Sequence, residues 1–73
     1  MRTVLDLKAG EKGIVRRIHG RGPLKRRFSD MGLTQGTAIE VTKVAPLGDP
    51  IQVNLLGYEL SIRKEDAAEI EIE

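Results

Sequence analysis

The sequence of 73 residues contains no cysteine and a single histidine, His19. The lack of cysteine excludes a disulfide, a thiolate nucleophile and any cysteine-based zinc or iron–sulfur site. One histidine also excludes every metal motif that needs two. Apolar residues never occur more than two in a row, so the chain has no transmembrane segment and no signal-peptide core, which predicts a cytoplasmic protein.

Aromatic residues are almost absent, since Phe28 and Tyr58 are the only two. Proteins that bind single-stranded nucleic acid stack bases on aromatic side chains, and this chain has too few for such a surface. The sequence Gly-Lys-Ser/Thr of a phosphate-binding loop does not occur either. We therefore expect no nucleotide hydrolysis, and we find no set of residues at the spacing of a catalytic site.

Charge is abundant but unevenly distributed along the chain. Residues 1–33 contain nine basic and three acidic side chains, whereas residues 34–73 contain three basic and eight acidic ones, for a net charge of +1. The basic half suggests a docking surface. Its alternatives are an ordinary solvated face and a surface that contacts the phosphates of a nucleic acid.

Glycine and proline divide the chain into short segments, which is typical of a small all-β barrel. Alternating apolar residues predict strands at about 13–19, 37–44, 51–55, 59–63 and 69–73, with a single helical turn at 64–68 before the last. The parity of the first strand is imperfect, which predicts a bulge or an exposed apolar residue there. We expect the last strand to pair with the first. The whole chain, residues 1–73, forms one domain.

One helix is predicted after the first strand. Pro23 suits a first helical position, and Leu24, Phe28 and Met31 fall on one face at i, i+4 and i+7. Gly32 is expected to end the helix in a left-handed conformation, with Leu33 folding back onto it.

Several motifs together resemble the FeoA family, ferrous iron transport protein A, over about residues 5–72. They are a glycine-rich first strand followed by Lys25-Arg26-Arg27-Phe28-Ser29-Asp30-Met31-Gly32-Leu33, Gln35-Gly36-Thr37, Ala45-Pro46-Leu47-Gly48-Asp49-Pro50-Ile51 and Gly57-Tyr58-Glu59-Leu60-Ser61-Ile62-Arg63. The family often has Leu at the positions of Phe28 and Met31, and both replacements stay apolar.

The resemblance implies a mainly β fold, an SH3-like five-stranded barrel with one helix inserted after the first strand. It also implies a small accessory or regulatory protein of bacterial ferrous iron uptake. Its partner would be FeoB, a membrane permease with a cytosolic GTP-hydrolysing domain. We expect no cofactor and no nucleic-acid partner, and contact with the membrane only through FeoB. Two other interpretations stay open, a small nucleic-acid-binding barrel and a metal-sensing domain like that of the iron-dependent repressors.

Two segments are the candidates for partner binding. The helix is expected to expose Lys25, Arg26, Arg27 and Asp30. The segment Pro46-Leu47-Gly48-Asp49-Pro50 is a stiff loop with Leu47 at its tip, and a stiff loop loses little entropy on binding. The alternative for Leu47 is that it closes the end of the barrel core.

No specific metal site is predicted. Glu69, Glu71 and Glu73 alternate on the last strand, with Glu65 and Asp66 nearby. Alternating glutamates are common on an exposed strand, and iron or zinc sites usually include His or Cys. At most we expect weak binding of transition metal ions. His19 is expected to be a surface residue beside a loop.

Overall fold

The computed structural model describes all 73 residues. Five strands and two helices follow in the predicted order: Lys12–Ile18 (β1), Gly22–Asp30 (α1), Ala38–Val44 (β2), Ile51–Leu55 (β3), Tyr58–Ile62 (β4), Lys64–Ala67 (α2) and Ile70–Ile72 (β5). A 3-10 turn at Val4–Asp6 precedes them. The predicted elements are confirmed, and most of their limits shift by one residue.

The strands form one antiparallel sheet in the order β4-β3-β2-β1-β5. The predicted pairing of the first and last strands is confirmed, with Val15 opposite Ile72 and Ile18 opposite Ile70. The register shifts between Val15 and Arg17. This bulge explains the imperfect parity of β1, and Ile14 is left partly exposed. β4 and β5 do not pair with each other, so the barrel is open between them.

The core contains apolar side chains from all five strands, from α1 and α2, and from the first residues of the chain. Along β3 the burial alternates strictly, with Ile51, Val53 and Leu55 buried. Phe28 is the largest fully buried side chain, at 1% exposed, whereas Leu24 and Met31 on the same helix face are only half-buried. One aromatic ring therefore makes the main contact between α1 and the core.

α1 ends as predicted. The amide of Leu33 donates to the carbonyl of Phe28 at 2.8 Å, and the amide of Gly32 donates to the carbonyl of Ser29 at 3.0 Å. Gly32 has φ = 90°, the left-handed conformation that this pair of bonds requires and that glycine adopts without strain. Leu33 folds back and is fully buried.

The first residues form an element that no sequence pattern above predicts. Thr3 begins the 3-10 turn. Its side chain accepts from the amide of Leu5 at 3.2 Å, and its own amide donates to the carboxylate of Asp6 at 2.8 Å. Thr3 also bridges to Glu71, while Val4 and Leu7 enter the core. The segment thus covers the outer edge of β5.

Candidate functional site

α1 presents the predicted charged residues to solvent. We call Lys25, Arg26, Arg27 and Asp30 the basic helix face, and all four are exposed. Arg26 and Asp30 lie opposite Phe28, because the core fixes which side of the helix is turned inward, whereas Lys25 and Arg27 flank the buried side. Lys25, Arg26 and Asp30 make no side-chain hydrogen bond or ion pair within 4.0 Å, so their charges are available to a partner.

Arg27 differs from the other two basic residues of this face. Its Nη2 donates to Oδ2 of Asp66 in α2 at 3.0 Å, and its guanidinium carbon lies 5.5 Å from the centre of the Phe28 ring. The ion pair joins the two helices. An exposed pair of this kind contributes roughly 0.2–1 kcal/mol to the free energy of unfolding. Arg27 therefore stabilises the fold in addition to contributing charge to the surface.

The loop of residues 45–50, which we call the proline loop, connects β2 to β3. Two backbone bonds shape it, from the amide of Gly48 to the carbonyl of Ala45 at 2.7 Å and from the amide of Ala45 to the carbonyl of Pro50 at 3.1 Å. Leu47 lies at its tip and is 93% exposed. The alternative that Leu47 closes the end of the core is therefore wrong, and the side chain is free to contact another molecule.

Asp49 is also exposed, but its carboxylate has a structural partner. Oδ1 of Asp49 accepts a hydrogen bond from the amide of Lys64 at 2.9 Å. Lys64 is the first residue of α2, whose preceding residue, Arg63, supplies no side-chain cap. Asp49 thus caps α2 from a distant part of the chain and ties the proline loop to it.

α2 separates the two candidate segments. A cleft of about 680 Å³ lies between α1 and α2, and a second of about 740 Å³ lies between α2 and the proline loop. Arg63 and Glu65 border both clefts. The structure therefore does not merge the basic helix face and the proline loop into one patch, and a partner that contacts both must span α2.

His19 and Glu71 form the shortest hydrogen bond between two side chains in the structure. Nε2 of His19 lies 2.7 Å from Oε1 of Glu71, and Nε of Arg16 lies 3.7 Å from Oε2. The hydrogen bond with His19 holds the pKa of Glu71 below its ordinary value; partial burial opposes this effect and the charge of Arg16 adds to it. The His19 side chain is 34% exposed, and the pairing of β1 with β5 places it beside Glu71, a contact that was not predicted.

The other acidic residues of the C-terminal stretch do not converge. Nowhere in the chain do three or more His, Asp or Glu side chains form a group that could hold a metal ion. No helix has the length and apolar character needed to cross a membrane.

Comparison with known proteins points to one family. The FeoA domain family model matches residues 2–73. The Fe(2+) transport protein A/Fe(2+) transporter FeoB fusion protein of Porphyromonas gingivalis is 40% identical to the chain over 68 residues, which is 93% of this chain. The chain spans only about 8% of the length of that curated relative.

Solved structures agree with this match. The solution structure of FeoA from Chlorobium tepidum has a TM-score of 0.93 and is 36% identical, with 99% of this chain and 69% of that chain covered. The zinc complex of Stenotrophomonas maltophilia FeoA, a prokaryotic SH3-domain protein, has a TM-score of 0.86 at 18% identity over 100% of this chain and 91% of that one. The second likeness concerns the fold alone, and it identifies the sheet as an SH3-like barrel.

Proposed function

The chain belongs to the FeoA family, and on that basis we propose that it is a cytoplasmic accessory protein of ferrous iron uptake that binds the GTP-hydrolysing part of a FeoB-type permease. The observation that carries the proposal is the relative from P. gingivalis, in which a segment 40% identical to this chain belongs to a fusion of FeoA with FeoB. Two domains joined in one polypeptide stay at high effective concentration. Such an arrangement favours partners that act together.

The chain acts as a binding module and not as an enzyme. It has no phosphate-binding loop sequence. The hydrolysis of GTP therefore belongs to the partner, and the chain supplies a surface.

We assign that surface to the basic helix face and the proline loop. Lys25 and Arg26 carry unpaired charges that accelerate the approach of an acidic partner. Leu47, with Pro46 and Asp49 beside it, offers an apolar anchor of the kind that dominates binding energy when it fills a pocket. Asp49 contributes by fixing the loop against α2.

The test is a titration of the chain with the soluble cytosolic part of the FeoB-type permease from the same organism. We expect a saturable complex. The variant Lys25→Glu/Arg26→Glu should associate more slowly, with a larger deficit at low salt, because exposed charges are screened beyond ~8 Å at physiological ionic strength. Arg27 is left unchanged because reversing its charge would also break its pair with Asp66.

The matched control is Lys8→Glu/Lys43→Glu, which makes the same change of charge at two exposed lysines without ion pairs elsewhere on the chain. Equal loss of binding in both double variants would show that only net charge matters. The absence of any complex would overturn the proposed function. If the unchanged chain bound RNA or DNA at physiological salt and Lys25→Glu/Arg26→Glu did not, the result would support the nucleic-acid alternative instead.

A further inference from the structure

One edge strand of the sheet is covered by another segment of the chain, and the other edge strand is not. β5 is covered on its outer side by the first residues of the chain. The amide of Ile72 donates to the carbonyl of Arg2 at 2.9 Å, and the guanidinium of Arg2 donates to the carbonyl of Glu73 at 2.9 Å. β4, Tyr58–Ile62, forms the opposite edge, and its main chain makes no hydrogen bond except to β3.

The register shows which groups of β4 are free. Leu55 and Tyr58 flank a turn of two residues and face each other, so they form a hydrogen-bonded pair. Such pairs alternate along an antiparallel ladder, which makes Leu60 and Ile62 the next residues bonded to β3. The amides and carbonyls of Glu59 and Ser61 therefore point away from the sheet, toward the open edge.

β4 also lacks the usual protection of an edge strand. Lysine, proline, a bulge or very short length commonly prevents an edge from pairing with another chain. β4 has five residues in an unbroken register with β3 and contains neither lysine nor proline. Its one charged side chain, Glu59, reaches back over the sheet to accept a hydrogen bond from Thr42 at 3.0 Å. The edge is left uncovered.

α1 turns this edge into a groove. Side chains of the helix and of β4 border a groove of about 250 Å³, the edge groove, lined mainly by Arg27, Phe28, Met31, Leu60, Ile62 and Arg63. At one end the hydroxyl of Tyr58 donates to the carbonyl of Met31 and holds the end of the helix against the strand. Leu60 and Met31 are only half-buried. Every second side chain of a strand added to β4 would therefore contact this apolar surface.

The other end of the edge groove is cationic. The Arg63 side chain is 78% exposed, and its one ion pair, with the equally exposed Glu65, is long at 3.8 Å. Asp66, the other acidic residue there, is engaged by Arg27. Arg63 therefore has guanidinium donors available for a carboxylate of a bound chain.

We propose that the edge groove binds an extended segment of the FeoB-type partner, which adds a strand to β4 and places a carboxylate against Arg63. The inference rests on the proposed function and specifies how the partner is recognised. An extended chain can bond the outward amides and carbonyls of Glu59 and Ser61 together through its own main chain, in place of water. The apolar side chains of the edge groove then favour apolar residues in the bound segment, and Arg63 favours a carboxylate.

Ser61→Pro tests the added strand. Proline removes the outward amide of residue 61 and is tolerated on an edge strand, while Ser61→Val keeps the amide and suits a strand. Titrated with the partner's cytosolic part, Ser61→Val should bind like the unchanged chain. Ser61→Pro should bind at least roughly tenfold more weakly, a loss of about 1.4 kcal/mol. The thermal melt of each variant establishes that it is folded.

A second measurement does not depend on any variant. In the unchanged chain, the amides of Glu59 and Ser61 should exchange hydrogen rapidly alone and become protected in the complex. Unprotected amides, or a folded Ser61→Pro that binds normally, would overturn the edge proposal, while the complex itself would still support the proposed function. No complex at all would overturn both. If Ser61→Pro instead only abolished self-association, the occupant would be a second copy of this chain and the proposal would be wrong.

Discussion

α1 and the proline loop carry the residues assigned to partner binding, but they are held in place differently. α1 depends on side chains: Phe28 in the core, Leu33 folded back under the last turn, and the pair between Arg27 and Asp66. The proline loop depends on two backbone bonds and on the cap from Asp49, and its apolar tip is outside the core. Changes to apolar residues should therefore unfold the chain at α1 and alter only binding at the loop.

Phe28→Ala should have the largest effect on stability. The ring is fully buried, and removing it leaves a cavity, which costs about 3–5 kcal/mol. That is a large part of the stability of so small a domain. The measurement is the midpoint of urea unfolding.

Leu24→Ala is the matched control on the same helix face. Leu24 is only half-buried, so we expect a clearly smaller loss than for Phe28→Ala. Equal midpoints for the two variants would contradict the conclusion that one ring makes the main contact of α1 with the core.

Asp49→Ala should have an intermediate effect. It removes the cap on the amide of Lys64, and loss of a helix cap costs about 0.5–2 kcal/mol. Asp30→Ala is the control, since Asp30 is an exposed aspartate without a partner. If both variants unfolded at the same urea concentration, the bond from Asp49 to α2 would contribute nothing and the loop would be independent of α2.

Glu71→Gln should have a smaller effect that depends on pH and lies outside both regions. The pKa of Glu71 is lowered in the folded chain, so the ionised carboxylate stabilises the fold above its unfolded pKa. This contribution disappears as the pH falls through the lowered pKa. The melting temperature of Glu71→Gln should therefore lie below that of the unchanged chain at neutral pH and approach it in acid.

Glu73→Gln serves as the control at the same end of the chain, because the Glu73 side chain makes no hydrogen bond or ion pair. It should show no such dependence on pH. If the difference in melting temperature between Glu71→Gln and the unchanged chain stayed constant into acid, ionisation of Glu71 would not stabilise the fold.

Local patterns in the sequence account for most of the fold. The apolar alternation of β3, the spacing of Leu24 and Phe28 in α1, and Gly32 after the helix each depend on nearby residues, and all three predictions are confirmed. The first residues were missed because the segment around Val4 and Leu7 is too short to show a strand or helix period. Thr3 and Asp6, three residues apart as in a capping box, were the available signal.

Contacts between distant residues could not be predicted in this way. The bond from Asp49 to Lys64 and the contact of His19 with Glu71 join residues 15 and 52 positions apart. Each requires the sheet order before it can be inferred. Leu47 could equally have closed the core, and only the path of the loop shows that it is exposed.

The central claim is that exposed residues outside the core bind the partner, and Leu47→Asp tests it most directly. Leu56→Asp is the matched control, because Leu56 is also an exposed leucine, 71% accessible, at the opposite end of β3. Both variants are titrated with the partner's cytosolic part and melted. We predict that Leu47→Asp melts like the unchanged chain but binds at least roughly tenfold more weakly, about 1.4 kcal/mol, whereas Leu56→Asp binds normally. Normal binding by Leu47→Asp would contradict the claim that Leu47 anchors the partner.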